Sequence, residues 1–438
     1  NYFNVKETKS AIGLPLASVD VNTSAGEPVS DDIDFLVIAK SSDTILKKIQ
    51  ELPALRASEA QLINKILEVD VIEIQKGPNV SLSSDVGVQT DGLTPASGGV
   101  VRINGTKSFL DSGRANTQTL LAKLAVEGAK INYINQLNET FYEVLNAVLE
   151  DQYADELYAH LQKNQLEYQK NKELIEVAAQ NGIITSFDLL TLNEKIVGLE
   201  RRELEIKRLK EKSKNTFTKL SLNVKREIAV PFSYSQVLDF INSNKYKYNL
   251  AILTSQNQIR IEELVVKQEK LEKKLNSNFA ASISQEMRSS STPDIFAGIQ
   301  VTLPMFDNGK VDQKVSIAEN NLDESKFELE FQKLELESEI QLWAEGVDLH
   351  EATMDSINEE IHIAKLKIIE MEKMLTIGRL TLNEVVTEKL GLATLIMSKI
   401  DTEYQYNFSV LQLLRATNTL CQIWGDCASF NPKNVKFK

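Results

Sequence analysis

The chain has 438 residues, with 18 glycines, 9 prolines and a net charge of −13. Few helix breakers and long tracts of Leu, Glu, Lys, Asn, Gln and Ala make it mainly helical, and an acidic balance with no Lys/Arg block among aromatics argues against nucleic acid as a partner. No apolar run approaches the roughly 18 to 20 residues of a membrane helix, and the start, NYFNVKETKS, lacks the basic-then-apolar pattern of a signal peptide, so the protein is soluble, or a signal has been removed and any membrane span is made of strands.

Residues 1–34 read as a polar N-terminal extension. A first unit, 35–230, opens with a helix and then changes period. Val80, Leu82, Val86 and Val88 alternate with Ser81, Ser83, Asp85 and Gln89, and after the turn-rich DGLTPASGG a second strand runs to SFLDSG, a β-hairpin over about 78–110. From Gly113 the period becomes helical, with Ile134, Leu137, Phe141, Val144, Leu145 and Val148 on one stripe. A continuous helix from there to Gly182 would be roughly 100 Å long, far more than a compact core can hold. Gly182 reads as the turn into an antiparallel helix carrying Leu189, Leu192, Ile196 and Leu199, so a helical hairpin fills about 113–220.

The stretch around Pro231 links this unit to a second, 231–425, in which the same order returns. After a helix, Phe279, Ala281, Ile283 and Met287 alternate with Ser282, Ser284 and Glu286. SSSTPD then turns the chain into Ile295, Ala297, Ile299, Val301 and Leu303, giving a β-hairpin over about 278–306. A helical hairpin over about 309–424 turns at Gly378, and a tail occupies 426–438. TKSFLDSG and TLPMFDNG end at Gly113 and Gly309, 196 positions apart, and Gly182 and Gly378 are separated by the same 196. Shifted by that offset, the stripe Leu189, Leu192, Ile196 and Leu199 becomes Val385, Glu388, Leu392 and Leu395, apolar at all but Glu388. The chain is an internal duplication of strand, strand, long helix, helix.

Strands with one apolar and one polar face suit a barrel wall between lipid and water, because a sheet in lipid must close on itself. Taken alone, either pair also fits an ordinary hairpin packed on a helix. Four strands are too few to close, since about eight is the practical minimum, so a membrane reading requires several chains to share one barrel. Nothing resembles a phosphate-binding loop, a nucleophile elbow or a paired His and carboxylate, so no catalytic residue and no cofactor is expected. Cys421 and Cys427, in CQIWGDC, would close a small local loop in an oxidising compartment and remain thiols in a reducing one. His160, His350 and His362 lie far from both, and no ligand spacing points to a metal.

On these motifs the chain resembles the TolC family of outer-membrane channel proteins of Gram-negative bacteria, over roughly residues 35–425. The most specific segments are LPMFDNGK and IGRLTLNEVVTEKLGL, with weaker counterparts FLDSGR and NGIITSFDLL, and LLRATNTL near the end. The resemblance implies a homotrimer whose chains pool four strands each into a twelve-stranded barrel in outer-membrane lipid, continued by an α-helical tunnel through the periplasm. Pro304, Asp307 and Gly309, with Asp111 and Gly113 in the first copy, would mark the passage from strand to helix. It places Gly182, Ile183, Gly378, Arg379 and Leu380 at a periplasmic tip where an adaptor protein docks. Glu384 falls on the first of two acidic constriction positions of well-known members, and Thr387 occupies the second. Asp188 is the counterpart of Glu384 in the first copy, and Leu380 stands where those members carry an arginine that helps hold the entrance shut.

The function so implied is a passive exit duct joined through the adaptor to an inner-membrane ABC or other transporter, serving type I secretion of a polypeptide or efflux of small molecules. The alternative is a soluble coiled-coil scaffold or tether, which accounts equally for the Glu- and Lys-rich helices.

Overall fold

The computed structural model describes residues 49–90, 95–182, 185–219, 234–244, 246–247, 249–286 and 292–420. In chain order the elements are α1 (Pro53–Gln75), β1 (Asn79–Thr90), β2 (Pro95–Leu110), α2 (Arg114–Gln180), α3 (Ser186–Lys219), α4 (Tyr234–Asn244), α5 (Leu250–Leu271), β3 (Asn276–Glu286), β4 (Asp294–Thr302), α6 (Lys310–Thr376) and α7 (Leu382–Ala416). The fold is mainly helical and internally duplicated, as the periodicity predicts. Both long helices, α2 and α6, have 67 residues, and the offset of 196 carries the ends of one onto the ends of the other.

Helices of this length are held by their neighbours, not by propensity alone. Two apolar clusters do the holding. The first gathers Tyr133, Leu137, Phe141, Val144, Leu145 and Val148 of α2, Val237 and Ile241 of α4, Val347 of α6, and Val410, Leu411, Leu413 and Leu414 of α7. The second lies toward the helical turns and joins Ala154, Leu157, Leu161 and Ile175 of α2 to Leu192, Leu199 and Ile206 of α3 and to Val386, Leu390, Ala393, Met397 and Ile400 of α7. Each fully buried large apolar side chain contributes about 1.5–3 kcal/mol relative to exposure. Thus α2 is sandwiched between its hairpin partner α3 and the return helix of the other copy, α7.

The LLRATNTL segment ends α7 and ties it to the start of α5. Arg415 grips Glu139 with Nη2 to Oε2 at 2.8 Å and stacks its guanidinium 4.3 Å from the centre of the Tyr142 ring. Asn418, at φ 55°, accepts the Leu250 N–H through Oδ1 at 2.9 Å. Asn249 caps α5 by accepting the Ile252 N–H at 2.9 Å and donates its Nδ2 to the Ala416 carbonyl at 2.9 Å. One helix end thereby satisfies the start of the next.

The strands form one antiparallel sheet in the order β1, β2, β3, β4, so the two copies meet along β2 and β3 while β1 and β4 are open edges. Pairing in β4 ends at Thr302, two residues before Pro304, which has no N–H to give a ladder.

Candidate functional site

The sheet register sorts side chains by face. One row runs Leu82, Ile103, Ile283, Ile295 across all four strands, and a neighbouring row runs Val80, Gly105, Ala281, Ala297. On the opposite face the rows are Ser81, Asn104, Ser282, Phe296 and Ser83, Arg102, Ser284, Asp294. Arg102 pairs there with Asp85 at 2.6 Å. The large apolar side chains of the first face, Val80, Leu82, Val86, Ile103, Phe279, Ile283, Ile295, Ile299 and Val301, are exposed, and none of the described helices covers them. An apolar medium on one side and water on the other is what this sheet fits. Among the described residues no helix is long and apolar enough to cross a membrane.

Where each strand pair passes into its long helix, the Asp, small polar, Gly triplets adopt one geometry twice. Asp111 accepts the Gly113 N–H at 2.9 Å and the Ala115 N–H at 2.7 Å, and Asp307 accepts the Gly309 and Val311 N–H groups at 3.0 Å each. The middle residues, Ser112 and Asn308, sit at φ 55° and 54°, and Gly113 and Gly309 at 90° and 77°. Two successive left-handed residues turn the chain from strand into helix, and the carboxylate satisfies the first free amides of the helix with a charge its dipole favours. Burial pushes the Asp111 carboxyl up, but the two backbone donors and Arg114 outweigh it, so its pKa falls. For Asp307 the Val311 and Gly309 amides lead the same downward shift. In the first copy the junction is also bolted to the second: Ser112 Oγ donates to the Leu275 carbonyl at 2.6 Å, and Arg114 Nη2 donates to the carbonyls of Leu271 at 2.6 Å and Lys274 at 2.8 Å. The last carbonyl of α5 and one just beyond the helix are thus satisfied by the first residue of α2.

At the far end, α2 and α6 each stop at a left-handed glycine, Gly182 at φ 70° and Gly378 at φ 71°. The Gly378 N–H donates to Leu375 at 3.0 Å and the Arg379 N–H to Met374 at 2.9 Å, the paired bonds of a glycine helix stop. Gly378 and Arg379 are exposed, and Leu380 is half-buried. Glu384 is exposed but engaged. Its Oε2 accepts the Thr381 N–H at 2.7 Å while its own N–H donates to Thr381 Oγ1 at 3.4 Å, a capping box that starts α7. Its carboxylate is therefore fixed beside the turn, and Thr387 sits one helical turn further in. Ile183, the side chain of Asp188, and Cys421 and Cys427 lie outside the described residues.

One cluster has no local sequence signal. Tyr153 of α2, Arg202 of α3 and Asp401 of α7 meet where the two helical hairpins touch: Arg202 Nη2 donates to Asp401 at 2.9 and 3.0 Å and to Tyr153 Oη at 3.1 Å, and Tyr153 Oη donates to Asp401 Oδ1. The Tyr153 ring stacks on Tyr404 at 4.4 Å. Burial first, then its bond to Asp401, raises the Tyr153 pKa, so the phenol stays a donor. Arg202 and Asp401 are 199 positions apart, which is why no spacing rule reveals them.

Architecture and register together can be set against solved structures. The fold matches the VceC outer-membrane protein of Vibrio cholerae at a TM-score of 0.72, with 13% identity over 86% of this chain and 96% of that one. It matches the CmeC outer-membrane channel of Campylobacter jejuni at 0.69, with 13% identity over 86% and 85%. For the open state of the MtrE outer-membrane channel of Neisseria gonorrhoeae the TM-score is 0.69, with 12% identity over 87% and 88%. The chain has the TolC-type channel-tunnel fold. No protein-family model matches the sequence, and no curated protein matches it either. Within this fold the Asp and Gly triplets stand where strands pass into the long helices, and Gly182 and Gly378 lie at the end of those helices furthest from the sheet.

Proposed function

We propose that this chain is an outer-membrane channel of the TolC family in a Gram-negative bacterium. Three copies join their four-stranded sheets, β4 of one beside β1 of the next, into a twelve-stranded barrel in the outer membrane, and their helices continue it as a periplasmic tunnel. The observation that carries this reading is the sheet itself: an uncovered apolar face, a polar face behind it and two open edges, each strand pair leading directly into a helix of 67 residues. A soluble tether leaves that face and those edges without a role. Exposed apolar strands with unpaired edges aggregate in water.

The protein acts as a passive duct, not as an enzyme. An inner-membrane ABC or other transporter supplies the energy, and a periplasmic adaptor docks around Gly182, Ile183, Gly378, Arg379 and Leu380. Glu384, with Thr387 and Asp188, forms the narrow point, where three carboxylates give a negative potential that favours cations. The cargo is a polypeptide in type I secretion or a small molecule in efflux.

The test is conductance of the purified protein in planar lipid bilayers, with its mass measured in detergent. Discrete conductance steps from a trimer support the duct, whereas a soluble, non-conducting species overturns it and leaves the tether.

A further inference from the structure

Where α2 meets α7, the residue numbers of facing partners have a constant sum. Glu139 with Arg415, Tyr142 with Gln412, and Tyr153 with Asp401 all add to 554, the mark of two antiparallel helices in fixed register. This contact joins the long helix of the first copy to the return helix of the second. The offset of 196 turns α2 into α6 and α7 into α3, and adding 196 to one partner while subtracting it from the other leaves the sum unchanged. Among the described residues of one chain, α6 and α3 do not pack on each other as α2 and α7 do.

Both halves of that contact nonetheless carry exposed apolar side chains. On α7, Val386, Ala393 and Ile400 are buried in the cluster that includes Ala154, Leu157 and Leu161 of α2, with exposures of 1%, 3% and 6%. Their counterparts on α3 are Leu190, Val197 and Leu204, apolar at all three positions but 67%, 60% and 67% exposed. Phe187 extends the same stripe at 75%. On α6 the exposed apolar residues include Leu349, Ile363 and Leu366. Leu204 with Leu349, Leu190 with Ile363, and Phe187 with Leu366 each add to 553, within one of the observed register. Val197 with Ile357 gives 554.

We propose that α6 of one copy packs antiparallel on α3 of a second copy in the register of α2 on α7, setting Leu349, Ile363 and Leu366 against Leu204, Leu190 and Phe187. The occupant of both exposed stripes is thus another copy of this chain. The inference rests on the trimeric reading and adds to it the residue pairs and their alignment. It also makes the two kinds of helix contact unlike in chemistry. The counterparts of Tyr153, Arg202 and Asp401 are Leu349, Ser398 and Glu205, so the joint between copies lacks the arginine that bridges tyrosine and aspartate within the chain.

The experiment is disulfide trapping in the full chain with Cys421 and Cys427 replaced by Ser, extracted in detergent. Leu204→Cys with Leu349→Cys, and separately Leu190→Cys with Ile363→Cys, is expected to give on oxidation a reducible band at three times the mass of the chain. Val197→Cys with Leu349→Cys is one heptad out of register, about 10 Å along the helix, beyond the Cα separation of about 7 Å a disulfide tolerates, and is expected to give none. A species of trimer mass that neither aligned pair traps, or that the shifted pair traps, overturns the register while leaving the channel reading intact. A chain that forms no trimer before any substitution overturns both.

Discussion

Asp111 and Asp307 show how one side chain can decide where a strand becomes a helix. Each carboxylate accepts two amides that would otherwise lack partners at the start of a 67-residue helix. Asp111→Ala is expected to cost about 1 kcal/mol, the usual loss of a helix N-terminal acceptor, read as a lower midpoint of unfolding in detergent. The pH dependence has a definite sign. Because the folded pKa of Asp111 lies below the ordinary aspartate value of about 3.9, its contribution is complete above that value and is lost as pH falls through the lowered one. The stability gap between the native chain and Asp111→Asn should therefore be open at pH 7 and narrow at pH 3. A gap of equal size at both would show that the charge is idle. Glu384 caps α7 and is proposed to line the pore, and substitution can separate the two. Gln at 384 can still reach the Thr381 N–H but has no charge, so Glu384→Gln is expected to weaken divalent-cation block of the channel while keeping the first turn of α7. Glu384→Ala should lose both. Unchanged block in the two variants would leave Glu384 as a helix cap only.

At the scale of elements, the turns and the contact between hairpins make different demands. Gly378 at φ 71° has open space around its missing side chain, so a substitution there is opposed by the backbone and not by crowding. Gly378→Val should cost about 1–2 kcal/mol, the penalty of a left-handed L-residue, and should appear as faster amide exchange in the last turn of α6 and the first of α7. Arg202 and Asp401 are about a third and two-fifths exposed, so water screens their pairing. A double-mutant cycle on Arg202→Ala and Asp401→Ala should give a coupling of about 0.5–1 kcal/mol.

These examples also mark what the sequence reveals. The alternation around Leu82 and Ile283, the stripe from Leu137 to Val148 and the 196-residue offset are local or periodic signals, and they lead to the sheet, the long helices and the duplication. The Asp, small polar, Gly triplets were legible as a passage from strand to helix only through the resemblance to the TolC family, and the left-handed backbone at Ser112, Gly113, Asn308 and Gly309 is the physical reason for their residue types. The Tyr153, Arg202 and Asp401 cluster was not legible, since three unremarkable helical residues meet only after two hairpins pack. Nor does composition show that Glu384 bonds the Thr381 N–H, although the T-x-x-E spacing of a capping box stood in the quoted motif.

For the whole molecule the deciding question is what lies against the apolar face of the sheet. If it is lipid, a cation there is costly and one on the opposite face is not. Ile103→Lys is expected to disfavour insertion by about 2–4 kcal/mol, the cost of a lysine facing lipid near mid-bilayer, and to deplete the chain from detergent-extracted outer membrane. Asn104→Lys, one residue along and on the polar face, should leave the yield unchanged. Equal yields of the two would place the same medium on both sides of the sheet.

The equal length of α2 and α6 makes this chain a ruler. Its graduations are heptads: removing seven residues from each of α2, α3, α6 and α7 would shorten the span by about 10 Å and restore every facing pair. The same deletion in one helix alone would leave that strut too short for its neighbours. Whatever gap the molecule bridges, its width can be altered only in matched cuts to all four helices, so a relative working across a wider or narrower gap should differ from this chain by the same whole number of heptads in each.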